Sequence, residues 1–129
     1  MPAAAKLKVI VVDDQLTIRS LVRAGLQQIG VNDVREFNGG AEALESLALR
    51  PPNVVISDYN MPNMNGMDFL KAIRANPQHK NTAFILLTGR ADRDLVVEAV
   101  KAGANNYLVK PFTAAILKQK IEQVVGALT

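Results

Sequence analysis

The chain has 129 residues, 49% hydrophobic and 21% charged, with no cysteine and a formal net charge of +3. That is the length of one domain with an ordinary globular composition, which excludes disorder, a disulfide framework, thiolate zinc sites and thiol nucleophiles. The 15 basic residues are spread along the chain, so there is no nucleic-acid footprint, and no apolar run nears the ~20 residues of a membrane span. The start, Met1-Pro2-Ala3-Ala4-Ala5-Lys6, lacks the regions of a signal peptide. The expectation is a soluble, cytoplasmic, monomeric protein with no membrane insertion and no DNA partner.

A first strand is expected at 7–12, where Val9-Ile10-Val11-Val12 runs into Asp13-Asp14. Ile18, Leu21, Val22, Gly25, Leu26 and Ile29 then fall at helical spacing, with Gly30 as the C-cap. A second strand, 34–37, ends in Asn38-Gly39-Gly40, and a helix over 40–49 is stopped by Pro51-Pro52. The third strand, 54–57, delivers Asp58 at the head of the loop Asp58-Tyr59-Asn60-Met61-Pro62-Asn63-Met64-Asn65-Gly66. A helix follows over 67–75 and ends before Pro77, and the lone His79 reads as a surface loop residue. The fourth strand, 83–87, runs into Thr88, and a helix over 92–102 ends at Gly103. The fifth strand, 106–109, runs into Lys110-Pro111, and a last helix spans 113–125 with Thr113 as its N-cap.

Five strands alternating with five helices predict a doubly wound α/β sandwich with right-handed crossovers and a buried, five-stranded parallel sheet. Four strand ends then bring three carboxylates, a hydroxyl and an ammonium to one sheet edge, where open α/β folds bind ligands. The second strand carries no such group at its end. That suits an outer place in a 2-1-3-4-5 order, the order of known flavodoxin-like (βα)5 folds, which hydrophobic periodicity alone does not supply. All 129 residues are expected to form this one domain, with no output domain.

Val11-Val12-Asp13-Asp14, the loop from Ser57 to Gly66, Leu87-Thr88-Gly89 and Val109-Lys110-Pro111-Phe112-Thr113 together resemble the receiver domains of bacterial two-component response regulators. The likeness is strongest to the stand-alone chemotaxis regulators of the CheY type. It implies that Asp58 accepts a phosphoryl group from a histidine kinase, a carboxylate nucleophile being known chemistry. It further implies a Mg²⁺ held by Asp14 and Asp58 directly, by Asp13 through water and by the Asn60 carbonyl, with Lys110 on a phosphoryl oxygen. A cis bond before Pro111 is also implied. Thr88 would donate to the phosphoryl group and Tyr107 would follow it inward. That would change a face of the fourth helix, fifth strand and fifth helix on which Arg93, Val96, Val100, Tyr107 and Lys120 are the candidate partner residues. Asn60 and Arg90 occupy the positions that tune dephosphorylation, and Gly89-Arg90 departs from the enteric pattern, leaving phosphoryl lifetime and choice of phosphatase open.

Plainer readings stand beside these. Asp13-Asp14 could merely cap a helix, Lys110 could be an exposed turn residue, and Tyr107 an ordinary strand aromatic. Asn38-Gly39-Gly40 lacks the full spacing of a phosphate-cradling loop, and Met61, Met64 and Met67 suit packing. The implied output is control of a partner such as a flagellar motor component. A phosphate sink and a second-messenger receiver using Arg90 and Arg93 are the alternatives. A haloacid-dehalogenase-type phosphatase needs a second Asp where Asn60 stands.

Overall fold

The structure, a computed structural model, describes residues 3–89 and 93–129. Five strands, β1 (Lys8–Val12), β2 (Asp33–Phe37), β3 (Val54–Asp58), β4 (Ala83–Thr88) and β5 (Asn106–Val109), form one parallel sheet in the order β2-β1-β3-β4-β5. They alternate with α1 (Leu16–Gln28), α2 (Gly40–Leu49), α3 (Gly66–Ala75), α4 (Arg93–Ala102) and α5 (Ala114–Val125). The expected start of α4 at Asp92 lies outside the described residues.

Side-chain alternation explains why the central strands read as unbroken apolar runs. Val9, Val11, Val54, Ile56, Ile85 and Leu87 point to one face and pack with Val22 and Leu26 of α1 and Leu117 and Ile121 of α5. Ile10, Val12, Val55, Phe84 and Leu86 point to the other, against Leu47 of α2, Phe69, Leu70 and Ile73 of α3, and Ala99 of α4. Both clusters are closed to water, so each face of the sheet contributes hydrophobic stabilisation. The edges are different. Every residue of β2 is only half-buried, and in β5 Leu108 alone is fully buried. The edge place of β2 leaves room for Arg35 and Glu36, which a central strand would not tolerate.

Local chemistry sets the boundaries. Asn65 Oδ1 accepts from the Asp68 N–H at 2.8 Å, which starts α3 at Gly66, one residue before the expected position. Thr113 caps α5 through Oγ1 and the Ile116 N–H, 3.1 Å, as the sequence anticipates. Gly30 and Gly103 take φ of +91° and +110° just past α1 and α4, a region open to glycine. Met61 and Met67 are buried, in keeping with a packing role.

His79 corrects the sequence reading, since it is 3% exposed and not a surface residue. It ends a short 3₁₀ turn, Pro77–His79, that Asn76 caps by accepting from the Gln78 N–H. Arg74 then reaches over the turn, donating from Nη1 to the His79 carbonyl and from Nε to the Gly103 carbonyl, both at 3.1 Å. Its Nη2 donates to Asn105 Oδ1, which also accepts from the Phe84 N–H. A capped turn clamped to the start of β5 draws in a residue that polarity alone would leave outside.

Candidate functional site

Each strand end delivers its side chain to the C-terminal edge because the strands are parallel and nearly in register. Asp58 pairs with Leu87, and Val109 with Thr88. Asp58 closes β3, Thr88 closes β4, Asp13-Asp14 follow β1, and Lys110 follows β5. The loop after β3 is pinned back by the Tyr59 N–H on the Leu87 carbonyl (3.2 Å) and the Gly66 N–H on the Tyr59 carbonyl (2.8 Å). The Lys110 N–H donates to the Thr88 carbonyl at 2.8 Å, and the Lys110-Pro111 bond is cis.

Carboxylate oxygens of Asp13, Asp14 and Asp58 lie within 4.8 Å of one another. Asp13 is 0% exposed and Asp58 5%, while Asp14 faces solvent. Lys110 Nζ sits 3.2 Å from Asp58 Oδ1 and 3.7 Å from Asp13 Oδ2. The second distance is an ion-pair contact and not a hydrogen bond, so Asp13 Oδ2 is buried without a hydrogen-bond partner. Burial is the main reason the Asp13 carboxyl sits above its usual range. Its hydrogen bond from Gln15 and the charge of Lys110 oppose that rise, while Asp58 and Asp14 add to it. Asp58 is also raised, mainly by burial, against the pull of Lys110.

The plain reading of Asp13 as a helix cap does not hold: the N-cap of α1 is Gln15, and Asp13 Oδ1 accepts from the Gln15 N–H at 2.9 Å in the turn before the helix. The unbonded Oδ2, pointed at by a lysine and crowded by two carboxylates, is a costly arrangement unless a cation joins it. An all-oxygen donor set of this charge fits a hard divalent cation such as Mg²⁺. Asn60 is exposed in the loop after Asp58, and Thr88 is buried at the end of its strand.

The expected partner-facing residues fall into two related groups. Arg93, Val96 and Tyr107 line one cavity of about 220 Å³ together with Val97, which the sequence reading omitted. Lys120 Nζ lies 4.4 Å from the Tyr107 ring centroid, a cation–π contact linking α5 to β5. Val100 is exposed on α4, one turn beyond Val96. Arg90 lies outside the described residues. Sequence reasoning missed Arg19, whose Nη1 donates to the Asp13 carbonyl at 2.5 Å. Its position one turn into α1 was the only available signal, and helical spacing does not distinguish such a contact from solvation.

Residues 9–122 match the model of the response regulator receiver domain family. The chain is 46% identical over 128 residues to a probable chemotaxis protein CheY of Rhizobium etli, covering 99% of each chain. It is 44% identical to the chemotaxis protein CheY1 of Helicobacter pylori, covering 93% of this chain and 98% of that one. The solved chemotaxis response regulator CheY4 of Vibrio cholerae superposes with a TM-score of 0.85 at 37% identity, over 92% of this chain and 98% of that chain. The chain belongs to the response regulator receiver domain family, as a homologue of the CheY chemotaxis proteins.

Proposed function

We propose that this chain is a stand-alone, cytoplasmic receiver that accepts a phosphoryl group from a histidine kinase on Asp58 and thereby changes the α4–β5–α5 face that meets its target. The observation that carries the proposal is the buried Asp58 carboxylate, 3.2 Å from Lys110 Nζ, inside a cluster of three carboxylates. A carboxylate alone is a poor nucleophile toward an anionic phosphoryl group. Asp14 and Asp58, with Asp13 through water and the Asn60 carbonyl, would hold Mg²⁺. Bound there, the ion would supply positive charge that offsets the repulsion between the Asp58 carboxylate and the incoming phosphoryl group. Lys110 leaves Asp58 for a phosphoryl oxygen, its flexible ammonium serving as a movable point charge.

Thr88 donates its hydroxyl to the new group. Tyr107 lies two residues before the end of β5, between the cavity walled by α4 and the ammonium of Lys120. In the proposed switch, a shift of Thr88 reaches the surface through this half-buried aromatic ring. The phosphoryl group can shift this equilibrium only by its difference in binding free energy between the two arrangements. The face is small and mixed in character, with exposed Val97 and Val100 beside Arg93 and Lys120, which suits a short amphipathic peptide of a motor component.

Amide resonances give the test. With Mg²⁺ and acetyl phosphate, resonances of Thr88, Tyr107 and residues along α4 should move together with those of the Asp58 loop, and all should stay put in Asp58→Asn. Movement confined to the Asp58 loop would rule out the switch. A full shift without binding to any motor component would favour the phosphate sink.

A further inference from the structure

Every polar atom of Asp13 but one is held by the protein. Its N–H donates to the Phe37 carbonyl at 3.1 Å, Oδ1 accepts from Gln15, and its carbonyl accepts from Arg19 Nη1 at 2.5 Å. The exception is Oδ2, the atom turned toward the lysine that also serves Asp58. Arg19 is itself fixed from the far side. Its Nε is buried and makes no hydrogen bond, but it lies 3.5 Å from Glu36 Oε1, an ion pair whose side chains are 15% and 23% exposed. Glu36 Oε2 accepts from Arg23 Nε at 2.5 Å, and Arg23 Nη2 donates to the Val34 carbonyl at 2.9 Å. Glu36 pairs with Val11, two residues before Asp13. A continuous line of contacts therefore runs from the edge strand β2 to the main chain of a buried site carboxylate.

The turn between β1 and α1 is held by the Asp13 N–H on Phe37 and the Gln15 N–H on Asp13 Oδ1, and neither bond fixes the Asp13 carbonyl. Gln15, the N-cap, makes no side-chain capping bond, and the first turn of α1 contains no acidic residue. The peptide between Asp13 and Asp14 carries the backbone of both carboxylates. Without Arg19 its carbonyl loses its partner, and a buried carbonyl seeks another by rotating. Rotation of that one peptide would turn both carboxylates away from their common point.

We propose that Arg19 is a positioning residue for the acidic cluster and that Glu36 holds it there, so that β2, which supplies no site residue, sets the affinity for the divalent cation. This rests on the reading that Asp13 and Asp14 hold Mg²⁺. Two effects of Arg19 oppose each other. Its positive charge repels a cation, while its hydrogen bond orients the carboxylates; the Glu36 carboxylate beside it offsets part of the first. The hydrogen bond dominates because it acts on the ligand's own backbone, and partners that orient metal ligands affect affinity by about 10–100-fold.

Calorimetric Mg²⁺ titration of the full chain tests this with three variants. Arg19→Met keeps the aliphatic stem and helical propensity but removes the donor, and should weaken Mg²⁺ about tenfold. Arg19→Lys should recover most of that loss. Such a rescue cannot come from charge, because the restored ammonium repels the ion. In the metal-free protein the Asp14 amide nitrogen, bonded to the Asp13 carbonyl carbon, should shift in Arg19→Met and in Glu36→Gln. Unchanged or tighter Mg²⁺ binding in Arg19→Met, or no rescue by Lys, overturns the proposal. If Arg19→Met fails to fold, an unmoved Asp14 resonance in Glu36→Gln overturns it instead. No Mg²⁺ binding by the wild type would sink the metal reading itself, and this proposal with it.

Discussion

Gly66→Ala is expected to lower the melting temperature by roughly 10 °C, the equivalent of about 3 kcal/mol in a domain of this size. A Cβ built on Gly66 would lie 2.4 Å from the Asp58 carbonyl oxygen and 2.9 Å from Tyr59 Cα. Both are backbone atoms, so no rotamer change relieves the clash. The substitution should gain roughly 1 kcal/mol in helix propensity, yet the collision outweighs it. The same contact shows why the effect reaches the site: Gly66 opens α3 and donates its N–H to Tyr59, folding the loop tightly back against the strand end that carries Asp58. Phosphoryl uptake in Gly66→Ala should therefore fall even at temperatures where the variant is folded. Gly39→Ser is the control, since nothing lies within 4 Å of its Cβ and serine is a good N-cap for α2. Thermal melts of the two variants side by side check the claim, and equal melting temperatures would refute it.

Asp13→Asn should act in the opposite direction, raising the melting temperature of the metal-free protein by about 4–8 °C, or roughly 1–2 kcal/mol. Asp13 is fully buried, one of its oxygens lacks a hydrogen bond, and two further carboxylates lie within 4.8 Å. Among the described residues a single ammonium, Lys110, serves both Asp13 and Asp58. Asparagine keeps the acceptor for the Gln15 N–H while removing one buried charge. Asp58→Asn should stabilise the metal-free protein for the same reason, though less, because it also loses the closer contact with Lys110. A lower melting temperature in both variants would mean that these carboxylates do not share a site.

Proton linkage gives the same expectation a second readout. Folding raises the Asp13 and Asp58 carboxyls above their usual 3.8, chiefly through burial. The folded state then binds protons more tightly than the unfolded chain, so metal-free stability falls as pH rises through the elevated values. It recovers as pH drops toward 3.8. Asp13→Asn should flatten that slope, and Mg²⁺ should stabilise the wild type at neutral pH by mass action, with a much smaller effect in the variant.

The apolar runs, their spacing and the polar residue closing each were legible in the sequence because a buried parallel strand leaves little choice of composition. Asp58, Thr88 and Lys110 could be placed at one edge from connectivity alone, since parallel strands with right-handed crossovers all end on the same side. The strand order was not legible from periodicity and came from the family likeness. What the sequence concealed were contacts made by long polar side chains across the fold. Arg74 draws His79 inward from 5 residues away and ties it to Asn105, 31 residues along the chain. Arg19, Arg23 and Glu36 join α1 to an edge strand whose partial exposure no hydrophobic pattern announces. Such contacts depend on where helices come to rest against the sheet, and local propensity holds no record of that.

Intact mass after acetyl phosphate, with and without Mg²⁺, for wild type and Asp58→Asn, bears most directly on whether Asp58 is a phosphoryl acceptor. The wild type should gain one phosphoryl group, the gain should depend on Mg²⁺, and the variant should show none. A wild type that stays unmodified, or a variant that gains the group equally well, would contradict that role for Asp58.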